Sequence, residues 1–166
     1  FLSALPAAAL DPDKKITQYS VHIWNMDGGL PCNSVYAVRQ TRDGYLWIGT
    51  LDGLGRYDGY EMRVFRHDPA DPTSISNNAV HVLLEDRNGQ LWVGTENGLN
   101  SLDRRTRHFT RHSVAGLKPG DGLIITCGFE DSRGRLWFGT SDGLLLQPLP
   151  DVAGVGLRAL RKVGRR

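Results

Sequence analysis

An all-β fold built from three copies of one unit is predicted by three features of this 166-residue chain. The first is an octet that returns in phase: Trp47–Leu54 (WIGTLDGL), Trp92–Leu99 (WVGTENGL) and Trp137–Leu144 (WFGTSDGL), each step being 45 residues. A fixed period of that length marks a repeat architecture. The second is a set of Asx-Gly pairs at matched places, which reads as repeated tight hairpins. The third is the composition of the segment before each octet, apolar on both faces where a strand with one wet face would alternate. Together they predict a partial β-propeller of three four-stranded antiparallel blades, arranged as an open arc. A parallel solenoid would need a strand-to-coil rhythm without hairpins, which these turns oppose.

Residues 1–15 read as a lead. Phe1–Ala9 resembles the end of a signal peptide, with an apolar remnant and an Ala-x-Ala pattern at Ala7–Ala9. This suggests a fragment of an exported precursor; the alternative is the apolar end of a cytoplasmic chain. Residues 16–34 read as a strand of the ring-closing type, Ile16–Trp24, followed by an entry loop. The blades then occupy residues 35–147, divided as 35–78, 79–123 and 124–147. In the first, the strands are expected at Val35–Gln40, Tyr45–Thr50, Gly53–Tyr57 and Met62–His67. Asp43-Gly44 and Asn88-Gly89 should turn the first strand into the second. Asp52-Gly53, Asn97-Gly98 and Asp142-Gly143 should turn the second into the third, with both central residues at positive φ. The basic tail, residues 148–166, occupies the slot of the third blade's outer strand and is expected to form it weakly near Gly156–Val163, to form a frayed helix, or to form neither.

Trp47, Trp92 and Trp137 should wedge between neighbouring blades, while Gly49, Gly94 and Gly139 let backbones approach. Further matched positions support the phase: Gln40, Glu85 and Glu130; Asp58 and Asp103; Phe65 and Phe109 after a one-residue slip. Propellers have roughly 4–8 blades, so three leave the ring open. The chain is therefore expected to be part of a longer protein, a self-associating arc or a truncated reading frame. Its open faces should make it marginally stable and prone to associate with further blades or with itself.

Composition excludes several function classes. The tail holds five Lys or Arg and one Asp, leaving 15 basic and 17 acidic residues elsewhere, so no nucleic-acid footprint marks the repeats. No apolar run of 18 residues occurs, and contact with a membrane is expected only through segments outside this chain. Cys32 and Cys127 stand at different phases and are not paired; two thiols make neither a disulfide framework nor a zinc site. His108 and His112 share a strand face but lie on the order of 13 Å apart, too far for one metal ion. No nucleophile elbow or phosphate loop is present. No catalytic residue, metal site or cofactor is predicted, and the chain is expected to lack hydrolase, kinase and cyclase activity.

Candidate ligand residues lie in the links into the first strands: Asn33, Asn77 and Asn78. Tyr36 and His81 share one phase of that strand and could face the central channel. The asparagines either line a polar rim for a small-molecule or glycan-like ligand or organise the entry to the strand.

The motifs GLPCNSV at Gly29–Val35, DGYLWIGT at Asp43–Thr50 and DGLGRYDG at Asp52–Gly59 resemble the two-component regulator propeller family. The second unit is similar over Ser76–Val80, Asn88–Thr95 and Asn97–Leu99, and the third over Arg133–Thr140 and Asp142–Leu144. The third lacks the Asn before its first strand. The resemblance covers Ile16 to about Leu146. It implies the periplasmic ligand-sensing part of a bacterial membrane receptor whose output is a histidine kinase or diguanylate cyclase. It also implies further blades, a sandwich domain and a membrane helix, with catalysis residing in parts outside this sequence. The second function class is a non-catalytic interaction scaffold or a truncated remnant of such a receptor.

Overall fold

The computed structural model describes residues 23–112, 122–147 and 158–160. Within them lie twelve strands in three antiparallel sheets of four. The first blade is β1 (Val35–Gln40), β2 (Leu46–Thr50), β3 (Gly53–Tyr57) and β4 (Met62–Phe65). The second is β5 (Val80–Glu85), β6 (Leu91–Thr95), β7 (Gly98–Leu102) and β8 (Phe109–His112). The third is β9 (Ile125–Glu130), β10 (Leu136–Thr140), β11 (Gly143–Gln147) and β12 (Arg158–Leu160). Each strand pairs with the next in sequence, so every blade is a meander. The outer strand expected in the tail is β12, which pairs with β11 through Leu144–Leu160 and Leu146–Arg158. The lead at 1–15 and most of the ring-closing segment, 16–22, lie outside the described residues. Its last residue, Trp24, is outside any strand and packs on Tyr57 of β3, ring centroids 4.9 Å apart.

The hairpins differ from the expected two-residue Asx-Gly turns. Positive φ falls on Gly44, Gly89 and Gly134 alone, not on the residue before each. In the first blade Thr41 N–H donates to the Tyr45 carbonyl (2.9 Å) and Gly44 N–H to the Thr41 carbonyl (2.8 Å), giving a three-residue loop with glycine last. In the second hairpin the register Thr50–Gly53 makes Leu51 and Asp52 the central residues and puts Gly53 at the exit. The threonine of each octet organises this turn. Thr50, Thr95 and Thr140 donate to the carbonyls of Gly53, Gly98 and Gly143 at 2.8–3.0 Å. Each also accepts from the N–H of Asp52, Asn97 or Asp142 at 3.1–3.2 Å.

The sheets stack face to face through their first and second strands. Side chains alternate, so Trp47 and Leu54 leave the first blade toward the second. They share a core with Val80, Leu91, Val93 and Leu102. Val82, Trp92 and Leu99 leave the opposite face of the second blade and meet Ile125, Leu136, Phe138 and Leu145 of the third. Glycine makes this approach possible. A Cβ on Gly49 would stand 2.8 Å from Val80 Cγ1, and one on Gly94 would stand 2.6 Å from Ile125 Cγ2.

Polar bonds repeat across the same joints. Gly53 N–H donates to the Asn78 carbonyl and Gly98 N–H to the Leu123 carbonyl, both at 2.8 Å. Glu85 accepts from the N–H of Arg42 (3.1 Å), and Glu130 from the N–H of Arg87 (2.8 Å). The guanidinium of Arg42 reaches the Arg87 carbonyl (2.8 Å), and that of Arg87 reaches the Asp131 carbonyl (2.9 Å). Within each blade the tryptophan N–H finds an acceptor six residues upstream: Thr41, Asp86 or Asp131, at 3.0–3.1 Å. Burial pushes the Asp131 carboxyl up. The Trp137 indole and the N–H groups of Arg135 and Arg133 outweigh that and hold it well below the usual carboxylate range.

Among the described residues, only the middle blade is covered on both faces. β5 is largely buried, whereas β1 is largely exposed and β9 keeps Thr126, Cys127 and Phe129 open to solvent. Trp47 and Trp92 are buried, while Trp137, which has no sheet over it among the described residues, is half-buried.

Two measurements check this packing. Gly94→Ala forces a Cβ into Ile125 and Val82; it should destabilise the chain by about 1–3 kcal/mol in urea unfolding. The second concerns His112, whose ring lies 4.9 Å from Trp92 and 2.8 Å from the Ser101 hydroxyl. Burial lowers its pKa from 6.5. Below that pH the unfolded chain takes up a proton that the folded chain resists, so stability falls as the solution is acidified. The thermal midpoint should therefore drop between neutral pH and pH values below the ordinary histidine range, and His112→Gln should flatten that part of the drop.

Candidate functional site at the channel-facing bulges

Each first strand is interrupted at the same repeat position. Val35 pairs with Thr50 and Ala37 with Gly49, leaving Tyr36 outside the ladder. His81 is left out between Val80 and Val82, and Thr126 between Ile125 and Cys127. A β-bulge re-aims the side chain it frees. The three bulges free Tyr36, His81 and Thr126 at one repeat position. Tyr36, 50% exposed, and His81 meet at a ring-centroid distance of 4.7 Å with their planes tilted by 40°. His81 Nε2 lies 3.3 Å from Glu96 Oε1. Glu96 comes from the β6–β7 turn, where the other blades carry Leu51 and Ser141, both exposed. The result is an aromatic step beside a carboxylate.

The asparagines have local partners. Asn33 Oδ1 accepts from the N–H of Met26 (2.9 Å). Asn77 Oδ1 accepts from the N–H of Ala79 (2.8 Å). Asn78 Oδ1 accepts from the N–H of His67 (2.7 Å), and its amide donates to Asp52 (3.1 Å). These bonds shape the entry loops that deliver the first strands. The structure thus brings Tyr36 and His81 together, while Asn33, Asn77 and Asn78 act on backbone near them. Glu96 and Thr126 were not singled out from the sequence. Glu96 lies inside an octet whose turn explained its neighbours. Thr126 stands at the same repeat phase, 45 residues after His81.

A second concavity opens between the first two blades at the other end of the strands. Asp43, Tyr45, Arg56, Phe65, Arg104 and Arg107 border it. Arg56 stacks on the Tyr45 ring at 4.3 Å. Arg104 joins Asp43 and Glu85 at 2.6 Å each, so its charge is already matched. Among the described residues no three His, Cys, Asp or Glu side chains gather as a metal site. Nor is any helix there long and apolar enough to cross a membrane.

The model of the two component regulator propeller matches residues 29–52, 74–97 and 121–142, each match running through a blade's first strand and the first six residues of its octet. The repeats belong to the two-component regulator propeller family. A 48-residue stretch is 46% identical to Histidine kinase P4 of Formosa agariphila, covering 29% of this chain and 4% of that protein. The extracellular domain of the one component system BT4673 from B. thetaiotaomicron superposes with a TM-score of 0.61 at 25% identity. That match covers 75% of this chain and 16% of that domain. A second structure, described as the extracellular domain of the hybrid two component system BT4673, gives the same score at 24% identity. Virginiamycin B lyase from Staphylococcus aureus shares the fold alone, with a TM-score of 0.52 and 17% identity over 70% of this chain and 39% of the lyase. The chain therefore spans a small part of the signalling proteins it matches.

Proposed function

We propose that this chain is part of a periplasmic ligand-sensing propeller of a bacterial signal-transduction receptor. Its output, a histidine kinase or a diguanylate cyclase, would reside in other segments of that receptor. The family of the repeats and the likeness to extracellular domains of signalling systems support this reading. The observation that carries ligand binding is the bulge column, in which Tyr36 and His81 from adjacent blades stack beside Glu96. An exposed aromatic face next to a carboxylate suits a saccharide, because the ring covers the apolar side of a sugar and the carboxylate accepts from its hydroxyls. The chain binds and does not transform its ligand in this reading.

Calorimetric titration with a panel of mono- and oligosaccharides tests it. A saccharide that binds wild type should lose roughly tenfold or more in affinity with Tyr36→Ala or Glu96→Gln, in line with ~1–3 kcal/mol for losing a buried hydrogen-bond or stacking partner. Because Tyr36 and Glu96 are exposed in the free chain, neither variant should move the thermal midpoint appreciably. Binding that is indifferent to both variants would remove the rim from consideration.

A further inference from the structure

The joint between the first and second blades gathers positive charge that the repeat itself does not call for. We propose that the groove at this joint, at the end of the strands away from the bulges, binds an oxyanion group: a carboxylate, a sulfate or a phosphate.

Arg56, Arg104 and Arg107 border the groove with Asp43 and the rings of Tyr45 and Phe65. A fourth guanidinium belongs to Arg63, which stands directly across the ladder from Arg56 and lies 5.6 Å from the Phe65 ring. Like charges directly opposite one another destabilise a strand pair unless an anion accompanies them. The carboxylates nearby are already engaged. Asp43 holds Arg104 and the Thr41 hydroxyl, and Glu85 holds Arg104 and the N–H of Arg42. Asp58 feels the charge of Arg56, but its Oδ1 accepts from the N–H groups of Tyr60 and Glu61. Arg56, Arg63 and Arg107 are thus left without an ion pair among the described residues.

The donors are also placed for an anion. The Nε atoms of Arg56 and Arg104 are buried and have no hydrogen-bond partner among the described residues. A buried donor without an acceptor is destabilising, and an oxygen in the groove would supply one. The Tyr45 ring, 4.3 Å from the Arg56 guanidinium, fixes the plane of that group. A guanidinium so held presents its edge as a fork that matches two oxygens of one anion. Arg107 sits at a φ of 63°, where the corresponding turn of the first blade uses Gly59 at 106°. Glycine adopts this conformation more readily, and Arg107 brings a guanidinium to the groove instead. The groove has a volume of about 110 Å3. That is the room of roughly three or four waters at ~30 Å3 each, enough for one oxyanion group.

The second joint shows that the architecture does without these charges. At the matched positions of the second blade stand Gln90 for Tyr45, Ser101 for Arg56 and, across the ladder from it, Thr110 for Arg63. The glycine seat and the backbone bonds are the same at both joints. The arginines of the first joint are therefore additional to what stacking requires.

Calorimetric titration at constant ionic strength, balanced with chloride, tests this with sodium acetate, sulfate and phosphate as separate probes. At least one probe should bind with a stoichiometry of one, and which of them binds tells which group the ligand bears. Arg56→Gln and Arg107→Gln should each weaken that binding by roughly tenfold, as expected for losing a hydrogen bond to a charged group. Arg105→Gln removes the same charge from the same turn without bordering the groove, and screening by salt should hold its effect within about twofold. Arg107 is exposed, so its variant keeps the fold where Arg56→Gln might not, and circular dichroism verifies both. Tyr36→Ala, at the opposite end of the strands, should leave the anion titration unchanged. Failure of all three probes to bind, binding indifferent to Arg107→Gln, or an equal loss with Arg105→Gln overturns the proposal.

Discussion

The contact on which the stack depends is the seating of a β-branched side chain on a glycine of the neighbouring sheet. Val80 over Gly49 and Ile125 over Gly94 bring two backbones closer than any Cβ permits. Everything larger is arranged around that approach. The tryptophan two residues before each glycine leaves the same face and fills the space beyond it. The threonine after each glycine closes the turn that presents the following loop. Backbone bonds from Gly53 and Gly98 then tie that turn to the next blade's entry. Because each blade covers its faces only by stacking, stability depends on these joints as much as on the sheets themselves.

Much of this was legible because the repeat is written three times. The strands and their phase followed from the octet and the apolar run before it. Spacing marked the slot of the last outer strand but not its conformation, because nothing in Arg158–Leu160 resembles Met62–Phe65 or Phe109–His112. Turn geometry was not. An Asx-Gly pair fits several loop types, and what selects among them is a hydrogen bond to a residue outside the pair. Thr41, Asp86 and Asp131 supply such bonds while holding the tryptophan N–H. Their chemistry varies between threonine and aspartate, so the common acceptor role is hidden from a comparison of letters.

The candidate rim shows the same division. Tyr36 and His81 shared a phase, which suggested that they point alike. Their stacking requires adjacent blades and a bulge in each, and a bulge is a shift in pairing that leaves no mark in composition. The asparagines illustrate the converse. Asn33 and Asn78 matched in phase and carry polar groups suited to a ligand, yet each accepts a backbone N–H that would otherwise lack a partner. A turn former at a matched position has two physical uses, and only the coordinates of its neighbours separate them.

The rim and the joints are coupled by construction. The bulge that frees His81 or Thr126 sits between the residue that seats on the preceding blade's glycine and the residue that pairs with its own. His81 lies between Val80, which seats on Gly49, and Val82, which pairs with Gly94. Force applied to the His81 ring is therefore delivered within one residue to contacts on both faces of the middle blade. Glu96 is tied in the same way, since its own N–H donates to the Ala79 carbonyl at the start of β5. Closely packed joints of this kind adjust by rigid displacement of whole sheets rather than by local deformation. His81 thus stands one residue from a contact between the first and second blades and one residue from the ladder of its own blade.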